Sequence, residues 1–325
     1  MTKRCLVAAI AAAIAVLGFG AVEGRAQLLQ QPVRIVFPFA AGGVGDALSR
    51  LMAEQLRVGL NRTVVVENKS GGAGQMGVIE VTRAEPNGDT LLLTPIAPVV
   101  VYQNVYKNLR YDPFKDLKPV SLIADFEFAI GVGSNVPAKS LQELVAWLKA
   151  NPKQAAYGSP GAGSLPHFFG VLFSRAIGVD MVHVAYRGSS AALTDLMGGH
   201  IPVVVTTTSD LLAAHRAGKI SILATSDSRR SPLLTDIPTF NEQGYSIDGT
   251  SWYAMFAPAN TPDEVVDRYS KILTDALKTP EMKEQLLQMG LYAHGSTPAD
   301  LARLQRQHAD HWAPAVKASG FSPTD

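Results

Sequence analysis

The chain has 325 residues and carries 29 lysines and arginines against 28 aspartates and glutamates, so its formal net charge is +1. The basic and acidic residues are nearly equal in number, and the sequence has no cluster of basic residues of the kind that binds nucleic acids or anionic membranes. No nucleic-acid partner is therefore expected. The length is sufficient for two domains with separate cores. The single cysteine, Cys5, excludes a disulfide framework.

The first 26 residues have the pattern of a secretory signal peptide. Lys3 and Arg4 precede an apolar, alanine-rich run at residues 6–22, and small residues follow at the positions needed for cleavage after Ala26. The apolar run is short for a membrane anchor. We therefore predict export to the periplasm and loss of Cys5 with the leader.

Downstream, β-like and helical segments alternate in chain order. Asp46 is predicted to be the N-cap of the first helix, and Ser140, with Glu143 at capping-box spacing, the N-cap of a later one. The order predicts an α/β fold in which mainly parallel sheets are flanked by helices. Strands are predicted at 33–37, 63–67, 91–94, 119–132, 155–158, 181–185, 202–206, 220–225 and 254–258, and helices at 47–56, 140–150, 263–277, 280–289 and 298–318.

The chain lacks a low-complexity linker, which indicates that strands cross between its domains. The unusually long apolar run at 119–132 and the segment 220–227 are the predicted crossings. They divide the mature chain into domain I, residues 27–126 plus 226–325, and domain II, residues 127–225.

Two glycine-rich loops each follow a β-like run and precede a helix. The first lies in residues 37–46 and the second in residues 157–164. A strand that turns through glycines into a helix directs free backbone N–H groups at one point, which suits a carboxylate or phosphate. Ligands of open α/β sheets lie beyond the carboxyl ends of the strands. The loops therefore predict a two-sided clamp on a small anion.

Two motifs allow an enzymatic interpretation, but the sequence supports each of them less well than it supports the anion clamp. The G-x-G-x-x-G sequence at 72–77 has no acidic residue after the following strand, so tight helix–strand packing is predicted in place of dinucleotide binding. Ser159, Ser164 and His167 could be combined into a hydrolase site, but the chain has no G-x-S-x-G elbow. His167 is instead expected to form a polar pocket wall. A secreted α/β enzyme stays a minor alternative, and no cofactor is expected.

Metal binding is also disfavoured. His308 and His311 have i, i+3 spacing on a predicted helix, but no carboxylate accompanies them at a familiar ligand spacing. Both side chains are expected to be solvated, and no metal site is predicted.

Beyond these local patterns, a series of motifs resembles the Bug-type periplasmic solute-binding proteins of tripartite tricarboxylate transporters, over essentially the whole mature chain. The motifs are residues 32–39 with Gly42, Gly43 and Asp46, then 64–68, 86–93, 109–113, 157–159 with Gly161, Gly163 and His167, 183–188, 192–196 and 251–253.

The resemblance implies a two-domain Venus-flytrap protein of type II-like architecture that holds a ligand carboxylate between the two glycine loops, partly through ordered water. It implies delivery of the ligand to a membrane permease by a monomeric protein; presentation of the ligand to a sensor kinase is the alternative. The expected ligand-binding residues are Phe39, Ala40, Gly42, Gly43, Gly45, Asp46, Pro95, Ile96, Ser159, Gly161, Gly163, Ser164, His167, Tyr186 and Thr206.

Three departures from the family pattern bear on the ligand. Gly45 replaces a usual threonine, the apolar segment 95–98 replaces small polar residues, and Thr206 stands where an aspartate that would suit a ligand amino group is common. An aromatic or short aliphatic mono- or dicarboxylate is therefore expected, and an amino acid is disfavoured.

Overall fold

The computed structural model describes residues 31–247 and 249–319, so the predicted signal peptide lies outside the described residues. The described chain contains ten strands and nine α-helices. The strands are β1 (Val33–Phe37), β2 (Val64–Asn68), β3 (Thr90–Pro95), β4 (Leu117–Gly133), β5 (Ala156–Ser159), β6 (Val182–Ala185), β7 (Val203–Thr207), β8 (Ile220–Thr225), β9 (Thr250–Pro258) and β10 (Tyr292–Ala293). The helices are α1 (Val44–Leu60), α2 (Gln75–Thr82), α3 (Leu141–Ala150), α4 (Leu165–Ile177), α5 (Ser189–Met197), α6 (Thr208–Arg216), α7 (Asp263–Lys278), α8 (Pro280–Gln288) and α9 (Pro298–Ser319).

Helix α1 begins earlier than predicted. Its N-cap is Gly43, so the prediction that Asp46 is the N-cap is wrong. Asp46 lies in the first turn, and its carboxylate accepts a hydrogen bond from the N–H of Gly42 at 3.1 Å. The carboxylate thus bonds the residue before the N-cap, whereas the carboxylate of a capping box bonds the N–H of the N-cap itself. The predicted capping of α3 by Ser140, which accepts from the N–H of Glu143, is confirmed.

The strands form a mixed sheet flanked by helices, and the predicted α/β fold class is confirmed. Strands β2, β1 and β3 are parallel neighbours, as are β6, β5 and β7. All pairings of β4 and β9 are antiparallel. The antiparallel pairings of β9 have a topological cause, because β9 returns from a distant part of the chain and its direction is not set by a local βαβ crossover.

Strand β4 is the longest strand and takes part in two groups of strands. Its first part, to Glu127, pairs with β9, and its last part, from Phe128, pairs with β7 and β8. The carboxyl ends of the parallel strands in both groups carry the glycine-rich loops. The fold thereby brings loops that are more than a hundred residues apart to one place.

The G-x-G-x-x-G segment serves packing in this structure. A Cβ atom on Gly77 would lie 2.9 Å from the Cα atom of Pro38, closer than real side chains approach. Glycine therefore lets α2 pack directly against the chain that leaves β1. Within the described residues no helix is both long and apolar enough to cross a bilayer.

Candidate functional site

A cleft lies where four helices begin. The starts of α1, α4, α5 and α6 contribute Gly43, Ser164, Ser189 and Thr207 to its lining. The space free of protein atoms is about 610 Å³ when the open solvent at the mouth of the cleft is included. Helix N-termini carry partial positive charge and unpaired N–H groups. This arrangement favours an anion in the cleft without a lysine or arginine.

Aromatic side chains form much of the remaining wall. Phe126 and Phe128 project from β4, Tyr253 from β9, and Phe37 and Phe39 from the end of β1 and the loop after it. The ring centroids of Phe126 and Tyr253 are 4.7 Å apart, and those of Phe37 and Phe39 are 5.8 Å apart. These rings offer apolar contact area to the body of a ligand.

The first glycine loop is shaped by the ring of Phe37. A Cβ atom on Gly45 would lie 2.2 Å from Cζ of Phe37 and 3.1 Å from the Tyr253 hydroxyl. The ring therefore occupies the space in which a threonine side chain at position 45 would lie. Gly43 differs, since a Cβ atom there would be in ordinary contact with Asp210 and Ser190.

Sequence reasoning missed Asp210, which is the one acidic residue in the described lining of the cleft. Its carboxylate accepts from the N–H of Val44 at 3.0 Å, and from the hydroxyls of Thr206 at 3.1 Å and Thr207 at 2.8 Å. It thus joins the start of α1 to the start of α6. An aspartate carboxylate lies beside Thr206 after all, which removes the argument against a ligand amino group that rested on position 206.

The second loop is held by its own side chains. The hydroxyls of Ser159 and Ser164 both donate to the carbonyl of Gly161, at 3.1 and 2.6 Å. The N–H of Gly163 donates to Nδ1 of His167 at 3.0 Å. Since these groups bond one another, they fix the shape of the loop and present Ser164 to the cleft.

His167 brings no positive charge to the site. It stacks on His183 with ring centroids 3.8 Å apart. Burial lowers the pKa of the His183 ring to about 4. Burial and the neighbouring His183 ring together lower the pKa of His167 to about 3. The buried hydroxyl of Ser159 donates to the Gly161 carbonyl and contacts Nε2 of His183 at 2.7 Å, so it is committed to the protein and is not available as a nucleophile.

The start of α5 is a third glycine-bearing strand-to-helix junction that the sequence analysis did not identify. Its N-cap, Gly188, has no side chain to cap the helix. A Cβ atom on Gly188 would lie 3.5 Å from Cβ of Ala40, so this junction faces the first loop directly. The sequence after β6, with glycine followed by Ser189 and Ser190, was the signal that could have identified it.

The predicted site residues divide into three groups. Phe39, Ala40, Gly43, Gly45, Pro95, Ile96 and Ser164 line the cleft. Gly161 and Tyr186 line a neighbouring surface groove together with Phe39. Gly42, Asp46, Ser159, Gly163, His167 and Thr206 lie outside the lining and hold the loops through hydrogen bonds or backbone conformation.

Asp46 has its carboxylate committed to the loop. Burial raises its pKa, but hydrogen bonds from the Gly42 N–H and from Arg50 outweigh this effect and leave the pKa below its usual value. The group is therefore ionised at neutral pH.

Metal-ligating clusters of histidine, cysteine and acidic residues do not occur among the described residues. His311 is exposed as predicted. His308 is only partly exposed, and the prediction of a solvated side chain is wrong there, because its ring packs edge-on against Trp252.

A two-domain α/β fold with a cleft beyond the carboxyl ends of its strands is the architecture of periplasmic solute-binding proteins. The receptor family of the tripartite tricarboxylate transporters, TctC, matches residues 48–321, and the chain belongs to this family.

Three solved structures are similar over nearly their full lengths. The periplasmic binding protein BugD has a TM-score of 0.86 and 32% identity, covering 90% of this chain and 99% of BugD. An R. palustris protein with adipate has a TM-score of 0.87 and 28% identity, covering 90% and 98% of the two chains. MatC from Rhodopseudomonas palustris with bound malate has a TM-score of 0.83 and 26% identity, covering 88% and 98%.

Proposed function

We propose that this protein is a non-catalytic, monomeric periplasmic receptor that captures a small carboxylate in the cleft and delivers it to a tripartite tricarboxylate-type permease. The observation that carries the proposal is the convergence of four helix starts on a cleft whose described lining contains no lysine, arginine or histidine. Neutral backbone donors bind an anion reversibly, which suits a protein that must release its cargo.

The start of α5 is the proposed principal anchor for the ligand carboxylate. The start of α1 already receives the carboxylate of Asp210 at Val44, whereas no side chain caps α5 at Gly188. The Ser190 hydroxyl lies between this helix start and the first loop, near Gly43, and adds a donor. The first loop faces this anchor and limits the space beside it, and the second loop contributes Ser164 to the lining.

The aromatic wall supports a ligand with an apolar body. Aromatic or short aliphatic carboxylates match this lining better than a compact, fully polar acid. The adipate and malate of the two similar structures are also carboxylates, which supports the ligand class.

Export with cleavage after Ala26 would place the protein in the periplasm. Closure of domain I, residues 27–126 plus 226–325, on domain II, residues 127–225, would then surround the ligand and exclude water.

A thermal-shift panel on the mature protein tests the ligand class. Benzoate, hydroxybenzoates, hexanoate, adipate and malate are compared with neutral sugars. A carboxylate at a hundred times its Kd is expected to stabilise the folded protein by about 2.7 kcal/mol through mass action. Unchanged melting with every carboxylate, together with a shift by a sugar, would overturn the proposal.

A further inference from the structure

Ser251 is a buried polar residue in the aromatic wall of the cleft. It lies on β9 directly opposite Phe126 of β4, and the alternation of side chains places it on the same face as Tyr253. The residue is 2% exposed and lines the cleft. Its Oγ atom has no hydrogen-bond partner among the described residues.

Three other serine and threonine hydroxyls of the lining form hydrogen bonds with groups of the protein itself. Ser164 donates to Gly161, the Ser189 hydroxyl bonds that of Thr206, and Thr207 donates to Asp210. Leaving a buried hydroxyl unsatisfied costs about 1–3 kcal/mol. The Ser251 hydroxyl is thus a polar group held in apolar surroundings, without a partner among the described residues, in the wall of the cleft.

The charge of the cleft limits what Ser251 can contact. Asp210 already places one carboxylate in the lining, and no cationic side chain accompanies it in the described part of the cleft. A second ligand carboxylate beside Ser251 would be buried without a counter-charge, which is costly. A neutral hydroxyl, carbonyl or ring nitrogen would satisfy the serine without this cost.

We infer that Ser251 determines specificity by hydrogen bonding a neutral polar atom on the apolar body of a monocarboxylate. The inference rests on the proposed function and sharpens it. The preferred ligand class is a hydroxy- or oxo-substituted aromatic or aliphatic monocarboxylate, whose carboxylate binds at the helix starts while its substituent reaches Ser251.

The test measures Kd by isothermal titration for matched ligands that differ by one hydroxyl: benzoate against 3- and 4-hydroxybenzoate, and hexanoate against 6-hydroxyhexanoate. The wild-type protein is expected to prefer one hydroxylated ligand about tenfold over its parent. Ser251→Ala is expected to reduce this ratio to near one and to keep the affinity for the parent acid. Its melting temperature should not fall, because the substitution removes an unsatisfied hydroxyl.

Thr225→Val is the matched control. Thr225 on β8 is another buried residue whose hydroxyl has no partner among the described residues, but it lies outside the cleft lining. This variant should keep the wild-type preference. An equal preference in Ser251→Ala and wild type, or no preference for any hydroxylated ligand, would overturn the inference while carboxylate binding persists. Failure of every carboxylate to bind would overturn the proposed function itself.

Discussion

Gly45 lacks a side chain because the ring of Phe37 fills the adjacent space. The sequence identifies the substitution of glycine for threonine, but the compensating aromatic ring is visible only when β1 and α1 are placed together. Compared with the family pattern, this chain lacks the threonine hydroxyl at position 45 and has the apolar ring of Phe37 in its place. Because an apolar ring replaces a polar hydroxyl in the wall of the cleft, we expect a ligand with an apolar body.

Gly45→Ala is predicted to lower stability by about 1–3 kcal/mol, because overpacking forces a buried ring to move. Gly43→Ala is the matched control in the same loop, where the new Cβ atom meets only ordinary contacts and φ is −91°. We expect it to change stability by less than about 1 kcal/mol. Urea unfolding of both variants measures the difference, and equal losses would contradict the packing argument.

At the scale of elements, the site is an assembly of helix starts held in place by side chains from other elements. Asp210 of α6 accepts from Val44 of α1, and Tyr106 donates to the carbonyl of Ala162 in the second loop at 2.9 Å. Such contacts join positions more than fifty residues apart, so no local pattern in the sequence specifies them.

Asp210→Asn keeps the shape of the side chain and removes its charge. Its amide oxygen can still accept from the Val44 N–H, and its NH2 group can donate to the Thr206 and Thr207 hydroxyls. Two like charges about 6 Å apart repel by about 3 kcal/mol at an effective dielectric constant near 20. The variant is therefore expected to bind carboxylates at least tenfold more tightly. Asp195→Asn, which removes a charge bonded to Tyr186 outside the cleft lining, should leave the affinity unchanged. A large loss of affinity in Asp210→Asn would show instead that Asp210 pairs with a cationic group on the ligand.

Most elements could be predicted from the sequence, and the reasons for the exceptions are physical. Apolar β-branched runs located β1 and β8 at their observed bounds, and the long run 119–132 predicted the exceptional length of β4. The antiparallel placement of β9 and the role of Asp210 depend on contacts between distant segments. The start of α5 was missed although it has the same strand–glycine–helix pattern as the two loops that were found.

At the scale of the whole molecule, β4 connects the two groups of strands, and Glu127 lies at the change of partner along it. The side chain is 2% exposed. Burial raises its pKa to about 7, an effect that Ser231 opposes and the charge of Asp227 reinforces. Ionisation at this position therefore affects stability in the neutral pH range.

Because the folded pKa of Glu127 lies above the value of 4.5 for free glutamate, the native state binds the proton more tightly. The contribution to stability is present below pH 4.5 and is lost as pH rises through about 7. Glu127→Gln is expected to melt at a higher temperature than wild type at pH 8, with the gap narrowing towards pH 5. Glu284→Gln, an exposed substitution with the same charge change, should show no such trend, and parallel pH curves for wild type and Glu127→Gln would refute the assignment.

We propose that a carboxylate binds where the first loop faces the start of α5. Isothermal titration of wild type and Gly43→Val with the strongest carboxylate of the panel tests it most directly. The valine methyl groups would enter the space between Gly43, Asp210 and Ser190. We predict measurable binding by wild type and a loss of at least a hundredfold in Gly43→Val, with the variant still folded by circular dichroism. Unchanged affinity in a folded Gly43→Val protein would contradict the account and move the site elsewhere.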